Sequence, residues 1–159
     1  MNSTNGKNST GPAMMRHAQD CHLACVVPMY NEGGHAGHFL SELYRRMAKR
    51  FLNVTIIAID DGSTDSTSEE VRAAIRDEIP IRLIRLSRNF GKEIALTAGL
   101  EATQKLANAV DCVLIIDADF QHPFDVAEGM IDRWSNGVDM VYGVQVRRES
   151  SAVRRGMTW

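Results

Sequence analysis

Short apolar runs alternate along this chain with segments in which apolar residues recur every three or four positions. The runs occupy residues 23–28, 54–59, 81–87, 112–116 and 140–146, and their length and β-branched content predict five strands. The spacing of Phe39, Leu43, Met47 and Phe51 predicts a helix after the first strand. Residues 90–106 and 125–135 predict two more helices. Such alternation is typical of an α/β fold with a mostly parallel sheet flanked by helices.

Two local signals refine this outline. Ser66 and Glu69 have the spacing of a capping box, which predicts that a further helix begins after the second strand. The third apolar run carries Arg82 and Arg85, so we expect that strand to lie near an edge of the sheet.

The composition suits one globular domain. The chain has 159 residues, 44% hydrophobic and 24% charged, which excludes a wholly disordered chain, a coiled coil and a collagen-like fibre. A net charge of −2 gives no basic field for a nucleic-acid partner, and no apolar run reaches the roughly 18 residues of a membrane-spanning helix. Cys21, Cys25 and Cys112 are too few for a disulfide framework, so we expect reduced thiols packed as small hydrophobes.

Three parts of the chain differ in composition. Residues 1–20 are rich in Asn, Ser, Thr and Gly and predict a disordered leader. Residues 21–148 contain all the predicted strands and helices and form the α/β domain. Residues 149–159 are a basic tail that ends in Trp159.

Polar side chains follow four of the predicted strands at the points where the strands end. Because ligands of open α/β sheets lie beyond the carboxyl ends of the strands, we expect a binding site there. These residues are Tyr30, Asn31, Glu32, Asp60, Asp61, Gly62, Ser63, Arg88, Asn89, Lys92, Asp117, Asp119, Gln121 and His122.

The acids of this edge allow two interpretations each. Asp117 and Asp119 could hold Mg²⁺ or Mn²⁺ through hard oxygen ligands, or could form an Asx turn and a helix cap. Asp60 and Asp61 could likewise form a capped turn, or could accept hydrogen bonds from a base or ribose. The chain contains neither glycine-rich phosphate loop, GxGxxG or GxxxxGK[ST], so a bound nucleotide would have its phosphates held by a metal.

His35 and His38 stand three residues apart, a spacing that a metal could use. No third ligand is evident, and we interpret both as surface histidines.

Four segments, in order, resemble the motifs of family 2 glycosyltransferases with a GT-A fold. They are VVPMYNE, AIDDGSTDST, LSRNFGKEIALTAGL and LIIDADFQHP, and the resemblance covers residues 23–148. The last two are most similar to the polyprenyl-phosphate branch, which includes dolichol-phosphate mannosyltransferases and bactoprenol-phosphate glucosyltransferases. Members of that branch continue through interfacial and often membrane-spanning helices, so the resemblance implies a chain truncated after the catalytic core.

The resemblance assigns roles at the nucleotide-sugar site. It implies that Pro28, Tyr30 and Glu32 line the nucleotide pocket and that Ile59 and Asp61 contact base and ribose. Relatives also carry an arginine after the fifth strand, beside a phosphate. This chain has Gln145 near that place, followed by Arg147 and Arg148, and we assign the phosphate to Arg148 with Arg147 as the alternative.

The resemblance also implies a metal site. Asp117, Ala118 and Asp119 match the Asp-x-Asp motif, and Gln121 is a further metal ligand. Asp119 would bridge the metal to the diphosphate, and it is the predicted catalytic residue.

The implied reaction is a metal-dependent, inverting transfer of a sugar from a nucleoside diphosphate sugar to a polyprenyl phosphate. An acceptor phosphate is already ionised, so no strong general base is needed, whereas a sugar-hydroxyl acceptor would need a carboxylate. A nucleotide-binding module without turnover is the other alternative. A nucleotidyltransferase is disfavoured because YNEGG is acidic where that class carries a basic glycine-rich loop.

The implied location is the cytoplasmic face of a membrane, with peripheral attachment. Residues 147–159 contain four arginines and a terminal tryptophan, which suits contact with anionic lipid. A solvated basic tail is the alternative, and the oligomeric state stays open.

Overall fold

A computed structural model describes residues 15–118 and 124–143. In this part of the chain, four strands form one parallel sheet: β1 (His22–Met29), β2 (Asn53–Asp60), β3 (Ile81–Arg85) and β4 (Cys112–Ile115). The strand order is β3-β2-β1-β4, so the direction of winding reverses between β1 and β4. The predicted parallel α/β sheet and the edge position of β3 are confirmed.

Four helices flank this sheet within the same ranges, as its alternating pattern predicts. They are α1 (Ala36–Met47), α2 (Thr67–Arg76), α3 (Lys92–Thr103) and α4 (Phe124–Ser135). None of the helices in the described ranges is long and apolar enough to cross a membrane.

The sheet has a core on each face. On one face α1, α2 and α4 cover the sheet, and the helical stripe of Phe39, Leu43 and Met47 is fully buried there. The ring of Phe39 lies 5.2 Å from that of Phe124, which holds the start of α4 against α1. The thiol of Cys25 is buried in this core, and burial raises its pKa, so it packs as a small hydrophobe as expected.

On the other face, α3 is the one described helix that packs against β1 and β2. Its closest contact residues are small, and a Cβ at Gly99 would lie 2.5 Å from Val26 Cγ1 and 2.7 Å from Ile59 Cδ1. Ala95 of α3 is fully buried beside the same strands. The small-residue face of α3 therefore lets this helix approach the sheet closely and fixes where its first residue, Lys92, lies.

Two predictions about elements differ from the structure. Residues 140–143 of the predicted fifth strand are not a strand, and Met140 and Tyr142 are 80% and 77% exposed, while residues 144–146 lie outside the described residues. Apolar alternation alone does not make a strand, because a strand exists only through hydrogen bonds to a neighbour.

The capping box correctly predicts where α2 begins, since Ser66 is its N-cap residue, but the side-chain bonds of the box are not formed: the Ser66 hydroxyl donates to Glu70 Oε1 (2.8 Å), and Glu69 takes no part. Glu70 is held there by a tertiary contact, since it also accepts the backbone N–H of Gly34 (2.5 Å).

The end of the segment predicted as a leader makes contacts in the structure. Residues 18–20 form a 3₁₀ turn, and the Arg16 N–H donates to the carbonyl of Ser135 (2.8 Å). The Arg16 guanidinium lies 5.2 Å from the centre of the Trp134 ring and donates to the Trp134 carbonyl (3.0 Å). Arg16 thus packs on the end of α4, and residues 1–14 lie outside the described residues.

Candidate functional site

A cleft of about 340 Å³ opens at the carboxyl ends of β1 and β4, where the winding of the sheet reverses. Such a reversal leaves a crevice between two loops that turn away from each other, which is the usual ligand position in open α/β sheets. The lining residues come from the ends of β1, β2 and β4 and from the start of α3: Pro28, Met29, Tyr30, Glu32, Asp61, Asn89, Gly91, Lys92, Ala95, Asp117 and Ala118.

The loop after β1 is tied to the loop after β2. Asn31 has a positive φ of 55°, and its N–H donates to Ser63 Oγ (2.9 Å) while the Glu32 N–H donates to Thr67 Oγ1 (2.8 Å). These bonds hold the backbone and leave the Tyr30 ring on the cleft wall, 45% exposed. A half-exposed aromatic at this position can stack on a flat ligand group.

Asp61 anchors the segment that leads into α3. The residue is 4% exposed, and its two carboxylate oxygens accept the backbone N–H groups of Phe90 and Gly91, each at 2.8 Å. Gly62 follows, and a Cβ there would lie 2.3 Å from the carbonyl carbon of Arg88. Asp61 thus fixes the cleft wall before α3, and its predicted contact with a base or ribose stays a prediction.

Asp60 is entirely buried on the opposite side of the same strand end. It accepts the Ser63 N–H (2.8 Å) and the Ser68 hydroxyl, and Arg85 Nε lies 3.6 Å from its Oδ2. These contacts stabilise the turn after β2. Of the two roles predicted for Asp60, the structure therefore agrees with the turn.

The cleft also holds an ion pair between α3 and the end of β4. Lys92 Nζ donates to Asp117 Oδ2 at 2.6 Å, and the two side chains are 57% and 28% exposed. Among the described residues that line the cleft, Lys92 is the one cation, against the carboxylates of Glu32, Asp61 and Asp117. The excess of negative charge favours a bound cation at this edge, which could in turn hold an anionic ligand.

The predicted metal ligands are described only in part. Asp117 lies at the cleft, whereas Asp119 and Gln121 lie outside the described residues, as does His122. Within residues 15–118 and 124–143, no three His, Cys, Asp or Glu side chains meet closely enough to hold a metal. Asp117 itself fits a hard cation, because its carboxylate already binds a cationic group and is partly open to the cleft.

Other predicted site residues fall in different places. Pro28, Tyr30, Glu32 and Ala118 line the cleft. The Ile59 side chain is fully buried in the core between the sheet and α3, in the same cluster as the lining residue Ala95, and does not itself line the cleft. Arg148 and Arg147 lie outside the described residues.

His35 and His38 do not form a metal pair in the described structure. His35 Nε2 lies 2.7 Å from Glu32 Oε2, so this histidine contacts a cleft acid instead.

Several supporting residues escaped the sequence analysis. Asp65 accepts the N–H of Gly33 (2.8 Å) and the N–H and hydroxyl of Thr67, and the Thr67 hydroxyl holds the pKa of Asp65 below its usual value. Met29 lines the cleft although no part in it was predicted, whereas Asn89 lies at the edge where the sequence places it. The acid at residue 65 and the glycine at 33 lie 32 positions apart, so no local pattern links them.

Comparisons with known proteins agree with the motifs. An uncharacterized glycosyltransferase of Synechocystis, sll0501, is 38% identical over 137 residues, which cover 86% of this chain and 40% of that protein. An undecaprenyl-phosphate 4-deoxy-4-formamido-L-arabinose transferase of Pseudomonas aeruginosa is 33% identical over 138 residues, covering 84% and 38%. The chain thus spans about 40% of the length of these curated relatives.

A solved structure shares the fold. It is the mannosyltransferase PcManGT of Pyrobaculum calidifontis, in complex with GDP-Man and Mn²⁺, with a TM-score of 0.53 and 23% identity over 67% of this chain and 30% of that one. The model of Glycosyl transferase family 2 matches residues 24–159. With four motifs in register, a parallel sheet of the GT-A type and this match, the chain belongs to family 2 of the glycosyltransferases.

Proposed function

We propose that the cleft binds a nucleoside diphosphate sugar and that the protein transfers the sugar to a polyprenyl phosphate. The observation that carries the proposal is the cleft at the β1/β4 reversal, where Tyr30, Asp61, Lys92 and Asp117 meet. Its volume of about 340 Å³ lies within the range of small-molecule sites. The Pseudomonas relative, whose name specifies undecaprenyl phosphate, supports the class of acceptor.

The nucleoside would bind against the β1 and β2 ends of the cleft. Pro28 and Tyr30 offer an apolar and aromatic wall, and Glu32 and Asp61 offer acceptor oxygens for ribose hydroxyls or base N–H groups. Because the Ile59 side chain is buried in the core, Ile59 would contribute to the nucleoside site only through its backbone position near the end of β2.

The diphosphate would lie toward Lys92 and Asp117. Asp117, with Asp119 and Gln121, would hold Mg²⁺ or Mn²⁺, which when bound supplies Lewis-acid neutralisation of the charge on the leaving diphosphate. Lys92 places a second positive charge at the same edge of the cleft. We assign Arg148 to a phosphate, as the family resemblance implies.

A phosphate acceptor suits the carboxylates that the structure describes. Glu32 contacts His35, Asp61 accepts two backbone N–H groups, and Asp117 binds Lys92. Each of these acids already has a partner in this structure, which agrees with an acceptor that needs no general base. A polyprenyl phosphate would attack the anomeric carbon as an anion from the face opposite the leaving diphosphate, with inversion.

Ligand binding tests the donor half of the proposal. Thermal shift with UDP, GDP, UDP-glucose and GDP-mannose, with and without Mn²⁺, should show stabilisation by at least one nucleotide, because a ligand of the native state raises its stability. Asp117→Asn should remove the Mn²⁺-dependent part, and Asp77→Asn, at an exposed acid remote from the cleft, should not. No shift with any nucleotide would contradict the donor proposal.

Turnover tests the acceptor half. The nucleotide that binds is supplied as its sugar conjugate together with undecaprenyl phosphate or a sugar alcohol, and the glycosylated product is measured. Nucleotide binding without product on either acceptor would make the chain a binding module, and product on the sugar alcohol alone would favour a hydroxyl acceptor.

We also propose peripheral attachment to the cytoplasmic face of a membrane through residues 147–159, which lie outside the described residues. Each of the four arginines is worth about 1 kcal/mol near an anionic surface. Co-sedimentation with anionic vesicles should therefore be strong at low salt and weak at high salt. Equal binding to neutral vesicles, or none to either, would contradict this attachment.

A further inference from the structure

The ion pair between Lys92 and Asp117 joins two elements that the sheet brings together only at the cleft. Lys92 begins α3, and Asp117 follows β4 by two residues. Their contact is 2.6 Å between Nζ and Oδ2, and more than half of the Lys92 side chain is exposed. The lysine thus neutralises a cleft carboxylate from the solvent side.

The backbone that carries Lys92 is held by the fold, whereas more than half of its side chain is exposed to solvent. Asp61 accepts the N–H groups of the two preceding residues, Phe90 and Gly91. On the following turn, Ala95 is fully buried against the sheet. The ammonium stands on a four-carbon stem with rotatable bonds, so it can change partners without any movement of α3.

A divalent cation at Asp117 and the ammonium of Lys92 compete for one carboxylate. Both are positive, and in the cleft they would repel each other at contact distance. When a diphosphate is also bound, its oxygens offer the ammonium a second anionic partner, so the competition ends.

We propose that Lys92 is an internal counter-ion of the cleft. It binds Asp117 while the cleft is without donor, and it transfers to the diphosphate when the donor and the divalent cation bind together. This inference rests on the metal and diphosphate sites of the proposed function. It makes the binding of metal and nucleotide cooperative, since each ligand removes a cost for the other.

Mn²⁺ titration of the nucleotide-free chain tests the first half of this inference. Calorimetry or Mn²⁺ electron paramagnetic resonance would compare the wild type with Lys92→Met, Asp117→Asn and Lys105→Met. Lys92→Met should bind Mn²⁺ about five-fold more tightly than the wild type, the upper range for an exposed ion pair. Lys105→Met removes the same charge from an exposed position after the other end of α3 and should match the wild type.

Nucleotide titration tests the second half. In saturating Mn²⁺, Lys92→Met should bind UDP or GDP about ten-fold more weakly, because a charge-assisted bond to the diphosphate is lost. Uridine and guanosine, which have no phosphate, should bind the two proteins equally. The same substitution would therefore strengthen one ligand and weaken the other, which general destabilisation does not do.

The outcomes separate this inference from the proposed function. If Asp117→Asn abolishes Mn²⁺ binding but Lys92→Met leaves it unchanged or weaker, the metal site stands and the counter-ion inference is overturned. If neither wild type nor Lys92→Met binds Mn²⁺ without nucleotide, the inference is overturned as well. If Asp117→Asn binds Mn²⁺ like the wild type, the proposed metal site fails, and the inference fails with it.

Discussion

The two acid-bearing strand ends of the cleft differ in how their carboxylates are held. After β2, Asp60 and Asp61 are 0% and 4% exposed, and backbone N–H groups are among their donors. After β4, the Asp117 side chain is 28% exposed and is held by the flexible side chain of Lys92. Asp60 and Asp61 are therefore bound to backbone groups that are fixed in the fold. Asp117 is bound to a lysine side chain that can change its conformation.

This difference separates two uses of the same residue type. A buried carboxylate bonded to backbone amides stabilises a loop, and removing it leaves donors without acceptors. A partly exposed carboxylate in a side-chain ion pair contributes little stability and can exchange its partner for a ligand. Substitution of an acid after β2 should therefore cost more stability than substitution of Asp117 after β4, whose main effect should be on ligand binding.

Substitution of the most buried acid should have the largest effect on stability. Asp60→Ala should lower the free energy of unfolding by about 3 kcal/mol, because Ser63 N–H, the Ser68 hydroxyl and Arg85 lose their acceptor. Urea unfolding measures it, with Asp77→Ala at an exposed site expected within about 0.5 kcal/mol of the wild type. A loss below 1 kcal/mol would break the comparison.

Asp61→Asn should have the next largest effect on stability, about 1–2 kcal/mol, because the Phe90 and Gly91 N–H groups bind different oxygens of Asp61 and the amide replaces one of them with an NH₂ donor. If Asp61 also contacts the nucleoside, the affinity for UDP or GDP should fall by about 1–3 kcal/mol. Calorimetry on the folded variant separates the two parts. Reduced stability with unchanged affinity would leave Asp61 as an anchor of the α3 segment alone.

Asp117→Asn should change the free energy of unfolding by no more than about 0.5 kcal/mol, because only a partly exposed ion pair is lost. In the same variant, UDP or GDP should no longer give the additional stabilisation that requires Mn²⁺. Urea unfolding with and without both ligands measures the two effects together. A loss of stability as large as that at Asp60 would show that the two strand ends are alike.

The smallest effect concerns an exposed acid of the β2–α2 loop. Asp65→Asn should lower stability slightly at neutral pH, and the difference from the wild type should vanish in acid. The pKa of Asp65 is lower in the folded state, chiefly because of the Thr67 hydroxyl, so its contribution is complete above about pH 4 and is lost as the pH falls through the folded pKa. Urea unfolding across this range measures it, and a difference that grows toward low pH would contradict the assignment.

The sequence predicts well those strands and helices whose own apolar pattern is enough to identify them, whatever they pack against. A strand buried on both faces needs a continuous apolar run, and β1 and β2 contain one. A helix on a core needs one apolar stripe, as α1 shows. The segment 140–146 has the composition of a strand, but its described residues 140–143 form none.

The same distinction applies to the candidate site: the positions of its residues were predictable from the sequence, and their contacts were not. The sequence by itself determined which residues reach the carboxyl edge of the sheet, because parallel strands end there and each is followed by its polar residues. Only the tertiary structure decided what those residues bind. Asp61 meets the N–H groups of Phe90 and Gly91, Glu70 meets Gly34, and Lys92 meets Asp117 across 25 to 36 positions of chain. The sequence near each residue does not predict these partners, because they are brought together by the packing of α2 and α3 against the sheet.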